Sequence, residues 1–231
     1  MKAQTVFRRY EYKYLVTEEQ AMRVLLGMGD ALVPDQWGRS TVTSLYYDTP
    51  TYALIRRSIE KPIYKEKLRL RSYGKADGKS TVYTEIKKKY KSVVYKRRIA
   101  LTCDEAERYL SSHSPLEPSS QISREIDYFR ERYSPLVPSV FISGEREAYY
   151  GDGDLRVTLD RNILCRDTDL TLKSDPYGMA ILPEGKILME IKTGGAIPLQ
   201  LVKILTEEKI YRTSFSKYGE FYIKGGLYER I

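Results

Sequence analysis

The chain has 231 residues, 30% of them charged and 42% hydrophobic, enough apolar material for a sizeable core and too much for global disorder. A formal net charge of +8 and a pI near 9.2 point to anionic partners such as nucleotides, polyphosphate, nucleic acid or an acidic membrane surface. Cys103 and Cys165 lack any CxxC or metal-type spacing, the N-terminal stretch has no apolar h-region, and no apolar run approaches a bilayer span; the expectation is a cytoplasmic protein with two free thiols.

In chain order, TVFRRYEYKYLV reads as a strand with Arg9, Glu11 and Lys13 on one face. Thr17 to Gln20 has the form of a capping box opening a helix, with Met22, Leu25, Leu26 and Met28 as its apolar positions. Pro34–Arg39 is loop, STVTSLYYDT is a strand, and Pro50 is expected to begin a short helix through TYALIRRSIE. Pro62–Arg71 is a long strand ending at a Ser72–Gly78 turn. Ser80–Lys88 and Ser92–Leu101 form two more antiparallel strands. An acidic-ended helix starts at Asp104, Ser114–Pro118 is loop, and Arg124–Tyr133 is helix. SVFISGEREAYY and DLRVTLDRNILC flank a Gly151-Asp152-Gly153 hairpin turn, and GKILMEIKT is a further strand. Ile197–Glu208 reads as an amphipathic helix with Leu199, Val202 and Leu205 on one side, and YRTSFSKYGEFYI as an irregular end. With no linker, the expectation is one domain over 1–231. About eight hairpin-linked strands with intervening helices give an α+β protein around a closed antiparallel barrel.

Charge on these strands recurs at a spacing of two. Lys65, Lys67, Arg69 and Arg71 share a face opposite Leu68 and Leu70; Glu85 shares one with Lys87, Arg156 with Asp160, and Glu190 with Lys192. Lys96 and Arg98 continue the pattern, whereas Lys88, Lys89, Lys91 and Arg97 are read as a solvated outer face. Arg69 and Arg71, about 7 Å apart along the strand, can fork two phosphates of one chain. Single glutamates amid such cations are either ion-pair partners or ligands for Mg²⁺ or Mn²⁺, which take carboxylate together with phosphate oxygens. Tyrosine is frequent, 21 residues, and often stands beside basic residues. His113, the single histidine, lies in SSHSPLEP and is read as a solvated loop residue, which disfavours a Ser-His-Asp triad, a His-rich zinc site and a Cys-His couple. Neither GxxxxGK[ST] nor GxGxxG occurs, so if the protein handles phosphates it must hold them with side-chain cations.

RYEYKYLV, SLYYDTP, KLRLRSYG, TEIKKK, KSVVYKRR, EREAYYGDGDLRVTLDR, LMEIKTGG and FSKYGEFY, in that order, resemble the VTC (vacuolar transporter chaperone) polyphosphate polymerase domains of the triphosphate tunnel metalloenzyme superfamily, relatives of CYTH-type enzymes. The resemblance runs from Phe7 to Tyr222. It implies an eight-stranded antiparallel barrel whose lumen binds triphosphate. Carried over by position, it implies Lys13, Arg69, Arg71, Lys87, Lys96, Arg146, Arg156 and Lys217 as phosphate ligands, with Lys192 beside them and Ser216 as a phosphate-binding hydroxyl. Arg69, Arg71, Lys87, Arg146, Arg156 and Glu190 would carry catalysis. Glu190 would hold the metal, helped by Glu11 and Asp160. One position departs: the tyrosine often found two residues before the arginine matched by Arg146 is Gly144 here. The SPX domain and membrane helices of fungal relatives have no counterpart in this stretch, so a stand-alone catalytic module is expected, membrane-associated only through a translocator partner. The implied activity is metal-dependent transfer of the γ-phosphoryl of ATP to polyphosphate. Rival expectations are a triphosphatase using the same tunnel and a non-catalytic polyanion-binding module, with no specific nucleic-acid partner.

Overall fold

The computed structural model describes residues 6–112 and 114–230; His113 lies outside them. Among the described residues ten strands occur in chain order: β1 (Val6–Val16), β2 (Val33–Pro34), β3 (Ser40–Asp48), β4 (Tyr64–Tyr73), β5 (Thr81–Tyr90), β6 (Val93–Thr102), β7 (Val137–Tyr150), β8 (Arg156–Arg166), β9 (Met179–Ala180) and β10 (Ile187–Thr193). Eight of them close a barrel in the order β7-β3-β4-β5-β6-β1-β10-β8, with β8 returning to β7 and every pairing antiparallel. The closed antiparallel barrel expected from the strand pattern is therefore present. Closure leaves the eight strands no open edge, and β2 and β9 are short additions to it.

Six α-helices among the described residues flank the strands: α1 (Glu18–Met28), α2 (Ala53–Ile59), α3 (Cys103–Ser111), α4 (Gln121–Arg132), α5 (Leu199–Glu207) and α6 (Lys217–Lys224). Capping boxes open three of them, Thr17 with Gln20, Thr102 with Glu105 and Ser120 with Ser123. α3 and α4 cover the outward residues Leu68, Leu70, Val82 and Ile86 of β4 and β5. α1 and α5 cover Tyr14, Val157, Leu159, Met189 and Ile191 of β1, β8 and β10. Cys103 and Cys165 are free and buried.

Several local expectations need correction. α1 buries Ala21, Val24 and Met28, while Met22 and Leu26 are exposed. Likewise α5 buries Leu201 and Leu205, while Leu199 points to solvent and Val202 is exposed. Both helices carry apolar residues on more than one side, and the face is chosen by where they meet each other and the barrel. α2 starts at Ala53 rather than Pro50, because Tyr52 takes a left-handed N-cap conformation (φ 56°). The closing segment is not irregular. Ser216 caps α6 by accepting from the Gly219 amide, and Tyr218, Phe221 and Tyr222 are buried.

α6 and α2 close part of one barrel end. Leu188 of β10, in phase with Glu190, and Val140 and Ile142 of β7, in register with Tyr46 and Ser44, form an apolar cluster with Ile55, Tyr218, Phe221 and Tyr222. Asp48, fully buried at the end of β3, ties this plug together. Its carboxylate accepts from the amides of Thr49, Leu54 and Ile55 at 2.8, 2.8 and 3.0 Å and from the Tyr218 hydroxyl at 3.0 Å. Asp48→Ala strands these donors in the interior and is expected to cost about 3 kcal/mol. Asp48→Asn should lose less. Urea unfolding midpoints measure both, and an unchanged midpoint for the alanine variant would contradict this account.

Candidate active site

Along β4 the side chains of Lys65, Lys67, Arg69 and Arg71 face the lumen, because Leu68 and Leu70 between them are needed by the outer core. Register then fixes their neighbours: Lys67 is paired with Lys87, Arg69 with Glu85, and on the next strand Glu85 with Arg98 and Lys87 with Lys96. Glu85 is fully buried and accepts from Arg69 Nε and Nη2 at 2.9 and 2.7 Å and from Lys96 Nζ at 3.1 Å, with Arg71 Nε 4.0 Å away. Burial opposes its charge, but Arg69, Arg71 and Lys96 prevail and hold the carboxyl far below its usual range. Arg69 also donates to the Tyr46 hydroxyl at 2.9 Å.

The facing wall comes from β1, β10, β8 and β7. Lys13 is in register with Glu190, and Glu11 with Lys192. Glu190 accepts from Lys192 at 2.7 Å and lies 3.4 Å from Lys13 Nζ; Lys13 also donates to the Phe215 carbonyl at 2.6 Å. Glu11 accepts from Lys87 at 2.7 Å. Asp160 takes two bonds from Arg146, at 2.6 and 2.7 Å, and a third from Lys217, the first residue of α6. Ser216 accepts from Lys67 at 3.2 Å besides capping α6. Arg156 Nη2 is 3.9 Å from Asp35, and its buried Nε has no hydrogen-bond partner.

These walls enclose a cavity of about 1020 Å³. Among the described residues, fifteen lysine and arginine side chains line it against the carboxylates of Glu11, Asp35 and Glu190. Even with Glu85 and Asp160 added, the excess of positive charge exceeds the chain's whole net charge of +8. The basicity seen in the composition is therefore internal, and the rest of the molecule is net acidic. Burial brings Lys67 and Lys96 down to about 7 and Lys192 to about 8, despite the acidic groups near them. Burial alone would raise the Tyr46 phenol, but Arg69, Lys67, Arg71 and Lys217 outweigh it and bring it to about 7. Glu11 falls to about 2, and Glu190 well below its usual value, because Lys87, Lys192 and Lys13 overcome the burial penalty.

Every residue expected at the site from sequence reaches this lumen or its wall: Lys13, Arg69, Arg71, Lys87, Lys96, Arg146, Arg156, Lys192, Ser216, Lys217, Glu11 and Glu190 line it, and Asp160 stands behind Arg146 and Lys217. Lys89 is a correction. It lines the cavity opposite Lys65, in phase with Glu85 and Lys87, rather than a solvated outer face. Lys88 and Arg97 do point outward, but both pair with Glu125 of α4. Lys67, Tyr46 and Arg212 line the site as well. The unbroken alternation of β4 already carried Lys67, whereas Tyr46 and Arg212 had no signal. Gly144 occupies the irregularity between Ser143 and Glu145 in the β7–β8 pairing, where a Cβ would stand 3.3 Å from the Arg161 carbonyl oxygen. A phenol nonetheless lines the lumen from neighbouring β3, at Tyr46.

Among the described residues no group of three or more His, Cys, Asp or Glu side chains is placed to hold a metal ion. The donor set instead fits a cation bound by one or two carboxylates and completed by substrate phosphates, as Mg²⁺ usually is. Glu190 and Glu11 are the ionised carboxylates on the cavity wall that suit this role. Both oxygens of Asp160 are engaged by Arg146 and Lys217.

The model of the VTC domain family matches residues 8–223. Among solved structures, a protein from Bacillus halodurans described as a candidate adenylate cyclase superimposes with a TM-score of 0.59 at 16% identity, covering 92% of this chain and 96% of that one. A candidate adenylyl cyclase from Hippeastrum, described as having a dominant triphosphatase activity, gives a TM-score of 0.53 at 16% identity, covering 94% and 96%. At these identities the likeness shows the shared tunnel fold. No curated protein matches the chain.

The crowded cations make the ligand-free fold pH-sensitive. Between pH 7 and about 10 the unfolded chain holds protons on Lys67, Lys96 and Tyr46 that the native state has released, so stability rises with pH in that window. The thermal midpoint of ligand-free protein should increase from pH 7 to pH 9. A flat or falling midpoint would contradict the crowding.

Proposed function

Because the chain belongs to the VTC domain family, we propose that it is a metal-dependent polyphosphate polymerase that transfers the γ-phosphoryl of ATP to a growing polyphosphate chain. The whole chain is taken as one tunnel domain. The observation that carries this reading is the enclosure of the cationic rows of β4, β5 and β6 with Glu190 and Glu11 in a single cavity. A long polyanion can be neutralised there from all sides. Surface binding of nucleic acid has no such support, because the excess positive charge is internal.

In this reading a terminal phosphate oxygen of the acceptor attacks the γ-phosphorus of ATP. One P–O bond forms to the acceptor, the bond to the β–γ bridging oxygen breaks, and ADP leaves. The acceptor oxygen is already ionised, so no general base is required. Arg69, Arg71, Arg146 and Arg156, with Lys13, Lys87, Lys96, Lys192 and Lys217, hold the phosphates in line and stabilise the charge that spreads over the transferred group. Their preorganisation supports this role: Glu85 fixes Arg69 and Lys96, and Asp160 fixes Arg146 and Lys217. Glu190, with Glu11 beside it, would hold Mn²⁺ or Mg²⁺, which when bound supplies Lewis-acid polarisation of the triphosphate. The far end of the lumen, lined by Lys65, Lys67 and Lys89, suits a departing anionic chain. A membrane translocator receiving that chain belongs to the same proposal, as does a cytoplasmic location; no helix among the described residues is long and apolar enough to cross a membrane.

The second reading, a triphosphatase, uses the same walls with water as the nucleophile. The triphosphatase activity described for the Hippeastrum protein of like fold favours keeping it. Incubation with ATP and Mn²⁺ followed by a polyphosphate gel separates the two: a ladder is expected, and free phosphate without one would select the triphosphatase. Glu190→Ala should lower turnover at least about 100-fold. Its tripolyphosphate affinity should hold or rise, since the substitution removes a negative charge from the cavity. Unchanged turnover would discard the role of Glu190 in metal binding.

A further inference from the structure

At the barrel end where β3 and β5 stop and β4 and β6 begin, three turns require a residue in the left-handed conformation, and each holds a lysine. Lys61 follows the C-cap of α2, with φ 55° and its amide bonded to the Ser58 carbonyl at 3.4 Å. Lys209 has the same place after α5, with φ 53°. It sits in a Schellman turn, where the Lys209 and Ile210 amides bond to the Thr206 and Leu205 carbonyls at 3.1 and 2.8 Å. Lys91 and Ser92, with φ 43° and 72°, make the two-residue turn between β5 and β6. Glycine or asparagine fills such positions at least steric cost. A helix dipole favours a cation at Lys61 and Lys209, but Lys91 has no helix before it. Folding alone does not account for lysine at all three.

These turns follow one arc of the rim. β4, which the Lys61 turn leads into, pairs with β5, β5 with β6, and β6 with β1. The Lys91 amide donates to the Ile63 carbonyl at 3.1 Å, joining the first two turns. At the exit of β1, the Gln20 side chain donates to the Glu208 carbonyl at 3.1 Å and so holds Lys209 there. Near each lysine stands an exposed apolar or aromatic side chain: Ile63, Tyr90 and Tyr211, 69%, 46% and 77% exposed. Segments 60–63, 89–92 and 209–212 carry Lys61, Lys89, Lys91, Lys209 and Arg212 against one carboxylate, Glu60. Among the described residues Lys61, Lys91, Lys209 and Arg212 have no ion-pair partner, whereas the exposed Arg23, Arg39, Lys75 and Lys203 elsewhere each have one. Unpaired cations grouped on a net-acidic exterior suit an external anionic surface.

We infer that this collar docks the protein directly on a membrane surface rich in anionic phospholipid, with no protein partner required. The lysines reach headgroup phosphates, while Ile63, Tyr90 and Tyr211 enter the boundary between headgroups and acyl chains. These apolar side chains stand singly between lysines and line no groove, which fits a fluid surface better than a folded protein. Ile63 has no use in base stacking, which disfavours single-stranded nucleic acid. Docked this way, the tunnel mouth lined by Lys65, Lys89 and Arg212 opens beside the membrane. Docking uses the outer surface and is independent of the reaction in the lumen.

Sedimentation of the full chain with phosphatidylcholine vesicles containing phosphatidylglycerol should show binding that weakens as salt rises, with little binding to phosphatidylcholine alone. The triple variant Lys61→Gly, Lys91→Gly, Lys209→Gly should bind the anionic vesicles at least about thirtyfold more weakly. Its thermal midpoint should hold or rise, because glycine accepts the left-handed conformation freely. Its calorimetric affinity for tripolyphosphate should stay within about twofold of wild type, since the collar lies outside the lumen and its charges are screened. Ile63→Ser, Tyr211→Ser should weaken vesicle binding while keeping its salt dependence. Vesicle binding abolished by tripolyphosphate in the lumen would place lipid headgroups in the tunnel and overturn the collar. So would equal binding to both vesicle types, unchanged binding by the glycine variant, or no vesicle binding at all, with or without capture of single-stranded DNA.

Discussion

Like charge held inside a closed wall is the constraint on which the rest of this structure depends. Guanidinium and ammonium groups repel one another most where water is scarce, and a barrel lumen is such a place. The protein answers with a few carboxylates, each shared. Glu85 serves Arg69 and Lys96 with Arg71 close by, Glu190 serves Lys192 and Lys13, and Asp160 serves Arg146 and Lys217. That is too little negative charge to neutralise the walls. The remaining excess makes the lumen suited to a polyanion, and it adds to the burial that brings Lys67 and Lys96 down to about 7.

Such a lumen can exist only because the outside of the barrel supplies the stability. Each strand carries its charge on one face and its apolar residues on the other, and three helix pairs bury those residues or close the barrel end. α6 does both. Its aromatic face seals part of the lumen through Tyr218, Phe221 and Tyr222, while its N-terminal end presents Ser216 and Lys217 to the cavity. Asp48, which anchors α2 and Tyr218 together, therefore links packing at the plug to the position of two site residues.

The chemistry follows from what the lumen contains and what it lacks. The proposed phosphoryl transfer between ionised oxygens asks mainly for alignment and charge stabilisation, and the walls offer ion-paired donors suited to both.

The strand faces were legible in the sequence because alternation at a spacing of two is local: Lys65 to Arg71, Glu85 with Lys87, and Glu190 with Lys192 needed no knowledge of partners. The same rule misled only where it was set aside, at Lys89. Helix faces were less legible. In α1, Met22 and Leu26 are as apolar as the buried Val24, and only the packing of α1 against α5 and the barrel decides between them. α6 looked irregular because Gly219 and its aromatic residues weaken the local helical signal, and its burial in the plug overrides that weakness. The sequence by itself determined which residues share a face. Only the tertiary structure decided which face is the inside, which carboxylate neutralises which cation, and that Lys61, Lys91 and Lys209 share a rim. Those facts depend on barrel closure and strand register between distant segments, which no local pattern encodes.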